Sequence, residues 1–451
     1  MGAGEFKFRI WCLYSMECQA DNSKIMREGT PIGEVLDFGT MSPHFLKASN
    51  EMPWRISTRA PLDIGLGSKM DSRLDSLGLD LYAVPDAGLV GMLSLVYTGS
   101  VASTVDLLDH LTFSRKLIAI DSKLLPEILS EDAAPVCVGE TAMGQDMFHI
   151  IDVDPDCGIL TENITEIPPD PWPKELDLAM ATKLVYKIHD AVRPRFTSLK
   201  MPMDANRHRE QVACVALTGA LLVGQPHWFQ QCAVGSSIIS IAAFSRLRNI
   251  RREAFDALRQ LDATKSGVMN QSRRELSHTR TALAGLSERL ASLDVDLASG
   301  VDAKLDLTAV LPSPRLASYH SSVVESMGIT TGSKYVANLV DRLRYSIAAQ
   351  RDAITAAERQ LDEERRAEIS VLAGALSTIA IIFGIFFGFF GTNSEQVNSR
   401  YSLLDHHYLG FYLLLVGIAL SIFGLFMSLR LKHRIRNNSR RASGPSQLEI
   451  R

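Results

Sequence analysis

The sequence predicts an α/β domain, then a long stalk helix, then two C-terminal transmembrane helices. Three observations lead there. The run Ile369 to Phe390 is 22 residues without a charge; at about 1.5 Å per residue it would cross a hydrocarbon layer of roughly 30 Å. A second uncharged run of 22 residues, Tyr408 to Leu429, follows a short polar loop, Ser394 to His407. Ahead of both, short alternating stretches fill the first 235 residues, and from Ser236 the apolar positions recur at helical spacing.

Along the α/β part, Phe6 to Ile10 alternates apolar and charged residues as a half-buried strand does. Leu79 to Val84, Leu89 to Thr98, Lys116 to Ile120, Pro135 to Val138 and Met147 to Val153 are further expected strands. The clearest helix runs from Glu175 to Val192 and stops before Pro194. Val212 to Val223 is apolar throughout and fits a strand or a buried helix equally. From 236 to 332 the chain reads as a cytoplasmic helical segment. Leu276, Leu283, Leu286, Leu290, Leu293 and Leu297 step by seven, three and four, a spacing that asks for a partner helix. After a turn-rich stretch with Pro312, Pro314 and Gly328, the stalk begins near Ser333. Val336, Val340, Leu343, Ile347, Ile354 and Leu361 share one seam, and neither proline nor glycine follows before Gly374. One helix of roughly 60 residues, about 90 Å long, is expected from 333 to 393. The loop 394–407, the second span 408–429 and a basic tail 430–451 complete the chain.

Charge sets the expected orientation. Arg359, Arg365 and Arg366 precede the first span and Arg430, Lys432, Arg434, Arg436, Arg440 and Arg441 follow the second, whereas the loop holds only Arg400. The positive-inside rule then puts both termini in the cytoplasm, in an inner or plasma membrane. The net charge of −4 and the lack of a basic stripe outside the tail argue against a nucleic-acid partner. The six cysteines show no CxxC pair, which disfavours a zinc site or a disulfide framework. Walker, GxSxG, GxGxxG and HExxH motifs are all missing, so no enzyme is expected.

The ending Gly388-Phe389-Phe390-Gly391-Thr392-Asn393 resembles the Gly-x-Tyr-Gly-Met-Asn that closes the first span of CorA-type magnesium transporters. The long preceding helix, the short acidic loop, the aromatic start at Tyr408 and the basic tail agree with it. The likeness covers about the last 120 residues; Thr392 and Phe390 depart from the family's pattern. It implies a CorA-like funnel, a homopentamer in membrane lipid that passes divalent cations, Mg²⁺ first with Co²⁺ or Zn²⁺ as others. Gly391, Thr392 and Asn393 would form the ion entry. Glu395 would draw cations by its field, or would be a solvated loop charge.

Two stripes can be read on the first span. Ile379, Ile382, Phe386 and Phe389 continue the rhythm of the stalk and would close a pore; the opposite stripe of small residues includes a GxxxG at Gly384 to Gly388. The reverse arrangement, phenylalanines to lipid and glycines to the pore, satisfies the same spacing. Asp152, Asp154 and Asp156 form an acidic turn that could also hold a regulatory Mg²⁺, although Cys157 and Asn163 exclude an EF-hand. Two alternatives stand beside the transporter: a ligand-gated effector pore serving signalling or defence, and a structural homologue that conducts nothing.

Overall fold

A computed structural model describes residues 5–48, 50–61, 63–65, 73–154, 178–187, 199–206, 211–264, 273–307 and 313–392, with scattered residues from 409 to 428. The chain divides into two units, one of Met1–Ser266 with Thr279–Gln350, the other of Gly267–His278 with Arg351–Arg451.

The first unit is built on an eight-stranded sheet. In chain order come β1 (Phe6–Ala20), α1 (Asn22–Glu28), β2 (Thr30–Pro31), α2 (Ile32–Val35), α3 (Ser42–Lys47), β3 (Trp54–Arg59), β4 (Leu74–Val84), β5 (Gly88–Gly99) and α4 (Val101–Phe113). Then follow β6 (Ala119–Ile120), β7 (Lys123–Leu124), α5 (Leu125–Ala133), β8 (Cys137–Val153), α6 (Leu178–Tyr186), β9 (Val212–Val215), β10 (Gly219–Val223) and α7 (His227–Thr264). The large sheet has the order β2-β3-β4-β5-β1-β8-β10-β9, and β6 and β7 form a separate pair. All neighbours are antiparallel except β8 and β10.

The alternation of β1 explains the layers. Phe8, Ile10, Cys12, Tyr14 and Met16 point to one face and are buried with Leu107, Leu108 and Leu111 of α4, Leu125 and Leu129 of α5 and Leu184 of α6. Trp11 and Leu13 point to the other face and are buried too, where α7 packs across β1, β8, β5 and β4. A strand covered on both sides has no solvent face, which is why its interior carries so little charge. Ser100 starts α4 by accepting from the Ser103 N–H at 3.2 Å.

Three stretches differ from the sequence expectation. Pro135 to Val138 and Met147 to Val153 are not separate strands; β8 runs unbroken for 17 residues. Register shifts on β1 at Tyr14/Met16 and Glu17/Gln19 absorb the irregular alternation between the two ends of β8. Of Lys116 to Ile120 only Ala119–Ile120 pairs, because Arg115–Leu117 is a tight 3₁₀ turn. Val212 to Val223 resolves into a hairpin of β9 and β10. Of the expected helix Glu175 to Val192, α6 occupies Leu178–Tyr186, and Lys187 already leaves the helix at a φ of +56°; the other residues lie outside the described ones.

The helices that follow are α8 (Arg273–Gly300), α9 (Pro314–Ser326) and α10 (Ile329–Thr392), the last of 64 residues. Within the first unit, Leu283, Leu286, Leu290, Leu293 and Leu297 of α8 are buried, as are Val336, Val340, Leu343 and Ile347 of α10. Asp294 to Arg344 at 2.9 Å ties α8 to α10, and Arg246 to Asp296 at 2.6 Å ties α7 to α8. In the second unit Leu276 and Ile354 are buried.

The expected pair of C-terminal transmembrane helices is corrected. Among the described residues no helix is long and apolar enough to cross a membrane. The uncharged run beginning at Ile369 is the end of α10, and its side chains are described without a gap only from 369 to 381. Of the expected second span, Tyr408 to Leu429, only scattered residues are described. The membrane placement and the orientation with both termini in the cytoplasm depended on those spans and are corrected with them. The loop 394–407 and the tail 430–451 lie outside the described residues.

Candidate functional site

Because β10 runs parallel to β8, their carboxyl ends meet at one edge of the sheet, Val153 opposite Val223. Open sheets bind ligands at the carboxyl ends of parallel strands. Here the chain leaves β10 through Gly224, whose φ of +60° suits glycine, and through Gln225 and Pro226 it enters α7 at His227. The Gly224 N–H donates to Val153 O at 3.2 Å, holding this turn against the end of β8.

Asp152 faces this turn from β8. It pairs in register with Arg9 of β1, so both side chains lie on the α7 side of the sheet. The Arg9 Nη1 stands 4.0 Å from Asp152 Oδ2 and donates to Gln230 Oε1 at 3.2 Å. Gln230 belongs to the first turn of α7, and its Nε2 donates to Gln225 O at 2.8 Å. Gln225 in turn donates to Ala205 O at 3.1 Å and accepts from Arg315 of α9, which also donates to Gln211 Oε1 at 2.7 Å. The Arg315 guanidinium lies over the rings of Phe229, at 4.7 Å, and Trp228, at 5.9 Å. A polar chain thus runs from β1 and β8 through the start of α7 to α9.

Asp152 is the strained member of that chain. It is buried, and its Oδ1 makes no hydrogen bond. Burial pushes its carboxyl up to about 7; Arg9 pulls the other way and Asp154 adds to the rise. A carboxyl poised near neutrality can exchange a proton, or accept a cation in its place.

No known family model, curated protein or solved structure matches this chain. The site is therefore argued from its own geometry.

The three aspartates read together in the sequence do not come together among the described residues. Asp152 is buried in β8, Asp154 is exposed just past the strand end, and Asp156 lies outside the described residues. No group of three or more His, Cys, Asp or Glu side chains that could hold a metal ion occurs among the described residues. Of the expected pore residues, Ile379 is half-buried on α10. Ile382, Phe386, Phe389, Gly391 and Thr392 belong to the same helix, their side chains undescribed, and Asn393 and Glu395 lie outside the described residues.

A second polar cluster, on the opposite face of the sheet, had no signal in the sequence. Cys12 pairs in register with His149, and Lys187, at a φ of +56°, donates to Thr112 Oγ1 of α4 at 3.0 Å. His149 Nε2 meets Leu184 O at 3.3 Å, while its Nδ1 makes no hydrogen bond. Burial drives each group toward its neutral form. Cys12 is pushed up to about 12, Lys187 down to about 8, and His149 well below its ordinary value. Their positions, far apart in sequence, come together only through the strand pairing and the chain turn after α6.

Proposed function

We propose that the chain works as a homo-oligomer assembled on the C-terminal turns of α10, with divalent cations, Mg²⁺ first, as its ligands. The exposure of Ile369, Val371, Leu372, Leu376 and Ile381, between 38% and 64%, carries this reading. Apolar side chains left in water along one helix end mark an interaction surface. In a closed homo-oligomer every copy supplies the same patch and every patch is covered. The resemblance of Gly388 to Asn393 to the CorA-type ending supports a fivefold assembly and the choice of cation. Membrane-spanning helices have no part in this proposal.

Sedimentation velocity of the full chain, with and without magnesium chloride, tests it beside the double variant Leu376→Glu, Ile381→Glu. The expected result is one discrete particle of several chains whose sedimentation responds to Mg²⁺, reduced to a monomer in the variant. A monomeric native chain would overturn the assembly, and a particle indifferent to Mg²⁺ would overturn the choice of ligand.

A second reading, an effector controlled by a small ligand, is favoured by the carboxyl-end edge around Asp152. Its strand position and unsatisfied carboxyl oxygen suit a ligand that supplies a hydrogen-bond donor or a cation. Under this reading Asp152→Asn abolishes the response of the assembly to the ligand while leaving the assembly itself intact.

A further inference from the structure

Near the end of the β1 and β8 pair, two thiols lie together. Cys137 pairs with Ala20, so it is diagonal to Cys18 on the same face of the sheet, near enough that each thiol alters the ionisation of the other. Cys12, Cys214 and Cys232 are wholly buried, Cys137 is buried but keeps 7% of its surface, and Cys18 is partly exposed, so the pair reaches solvent where the other three described cysteines do not. The register shift between Glu17 and Gln19 falls on Cys18 itself, and Gly139, at a φ of +88°, makes the opposing strand irregular two residues from Cys137. Both irregularities loosen the pairing where a bond between the sulfurs would draw the strands together.

We propose that Cys18 and Cys137 are a dithiol pair that a low-molecular-weight disulfide, such as glutathione disulfide, oxidises to a covalent link between β1 and β8. Cys137 is the attacking thiol. The Cys18 thiol beside it is the largest influence and favours its thiolate; burial opposes this, and the Lys24 ammonium adds a smaller pull toward the thiolate. Cys18 is held in its thiol form by its Cys137 neighbour and by burial.

The chemistry balances in two exchanges. The Cys137 thiolate attacks one sulfur of glutathione disulfide, forming a mixed disulfide as the glutathione S–S bond breaks and one glutathione thiolate leaves. Cys18 then gives up its proton and attacks Cys137 Sγ, and the second glutathione leaves. The protein loses two protons and two electrons, and the disulfide reagent takes them up as two thiols.

The test uses the full chain carrying Cys157→Ser, so that every remaining cysteine lies in the described structure. The protein is incubated with glutathione disulfide, quenched by alkylation, digested and mapped by mass spectrometry. The expected product is an intramolecular Cys18–Cys137 peptide, lighter by two hydrogens than the reduced pair, with Cys12, Cys214 and Cys232 still reduced. In Cys18→Ser a glutathione adduct should accumulate on Cys137, and in Cys137→Ser the reaction at Cys18 should slow at least tenfold. Reduced Cys18 and Cys137 beside a reacted buried cysteine, or links only between chains, would overturn the proposal. Equal rates in the two single variants would overturn the role of Cys137 as attacker.

Discussion

Asp152 stores the clearest pH dependence in the molecule. Its carboxyl titrates higher in the fold, at about 7, than in the open chain, at 3.8. The fold therefore binds that proton more tightly, and the resulting stabilisation is complete at acid pH and is lost as pH rises from about 4 toward 7. Asparagine cannot ionise. The difference in Tm between Asp152→Asn and the native chain should grow in favour of the variant from pH 5 to pH 8, by about 2 to 4 kcal/mol once converted to free energy. A difference that ignores pH would mean that Asp152 is ionised in the fold throughout. The strand end at Val153 and the acidic turn after it were both legible, but not that the face carrying Asp152 is covered, so that Asp152 is buried while Asp154, just past the strand, stays in water. Nor could the sequence pair it with Arg9, 143 positions away, because that partnership is made by the register of β1 on β8.

Among the elements, the helical seam was the most legible. The steps of seven, three and four in α8 and the matching run in α10 place the leucines and valines that are buried in the first unit. Leu290→Ala should cost about 2 to 5 kcal/mol in urea denaturation, since it opens a cavity in a packed interior. Tyr345→Ala, on the same unit of α10 but 78% exposed, should change stability by no more than about 0.5 kcal/mol. Equal losses would mean that the seam does not carry the packing of these helices. The strands were less legible. The long β8 reads as two because its central residues, Gly139 to Gln145, carry glycines and polar side chains that the bulged pairing tolerates.

At the scale of the whole molecule, the sequence shows an α/β part and one very long helix, and both are present. It also suggested two spans, and that reading is corrected: among the described residues no helix is long and apolar enough to cross a membrane. The division into two units predicts two steps in thermal unfolding. Leu129→Ala, which empties a fully buried position beside Gly91 in the first unit, should lower one calorimetric transition and leave the other in place. A single transition that moves as one would show that the units unfold together. The outer strands of the sheet carry a last implication. At one margin β2 is two residues long and ends in Pro31, which has no N–H to offer; beside it Arg59 of β3 is held by Asp132. At the other, the four residues of β9 are all buried, and Lys200 already exchanges both of its backbone hydrogen bonds with Val215. Among the described residues both margins are thus partly blunted, which steers copies of this protein that meet at high concentration away from fibre-like stacking and toward contacts made by helices.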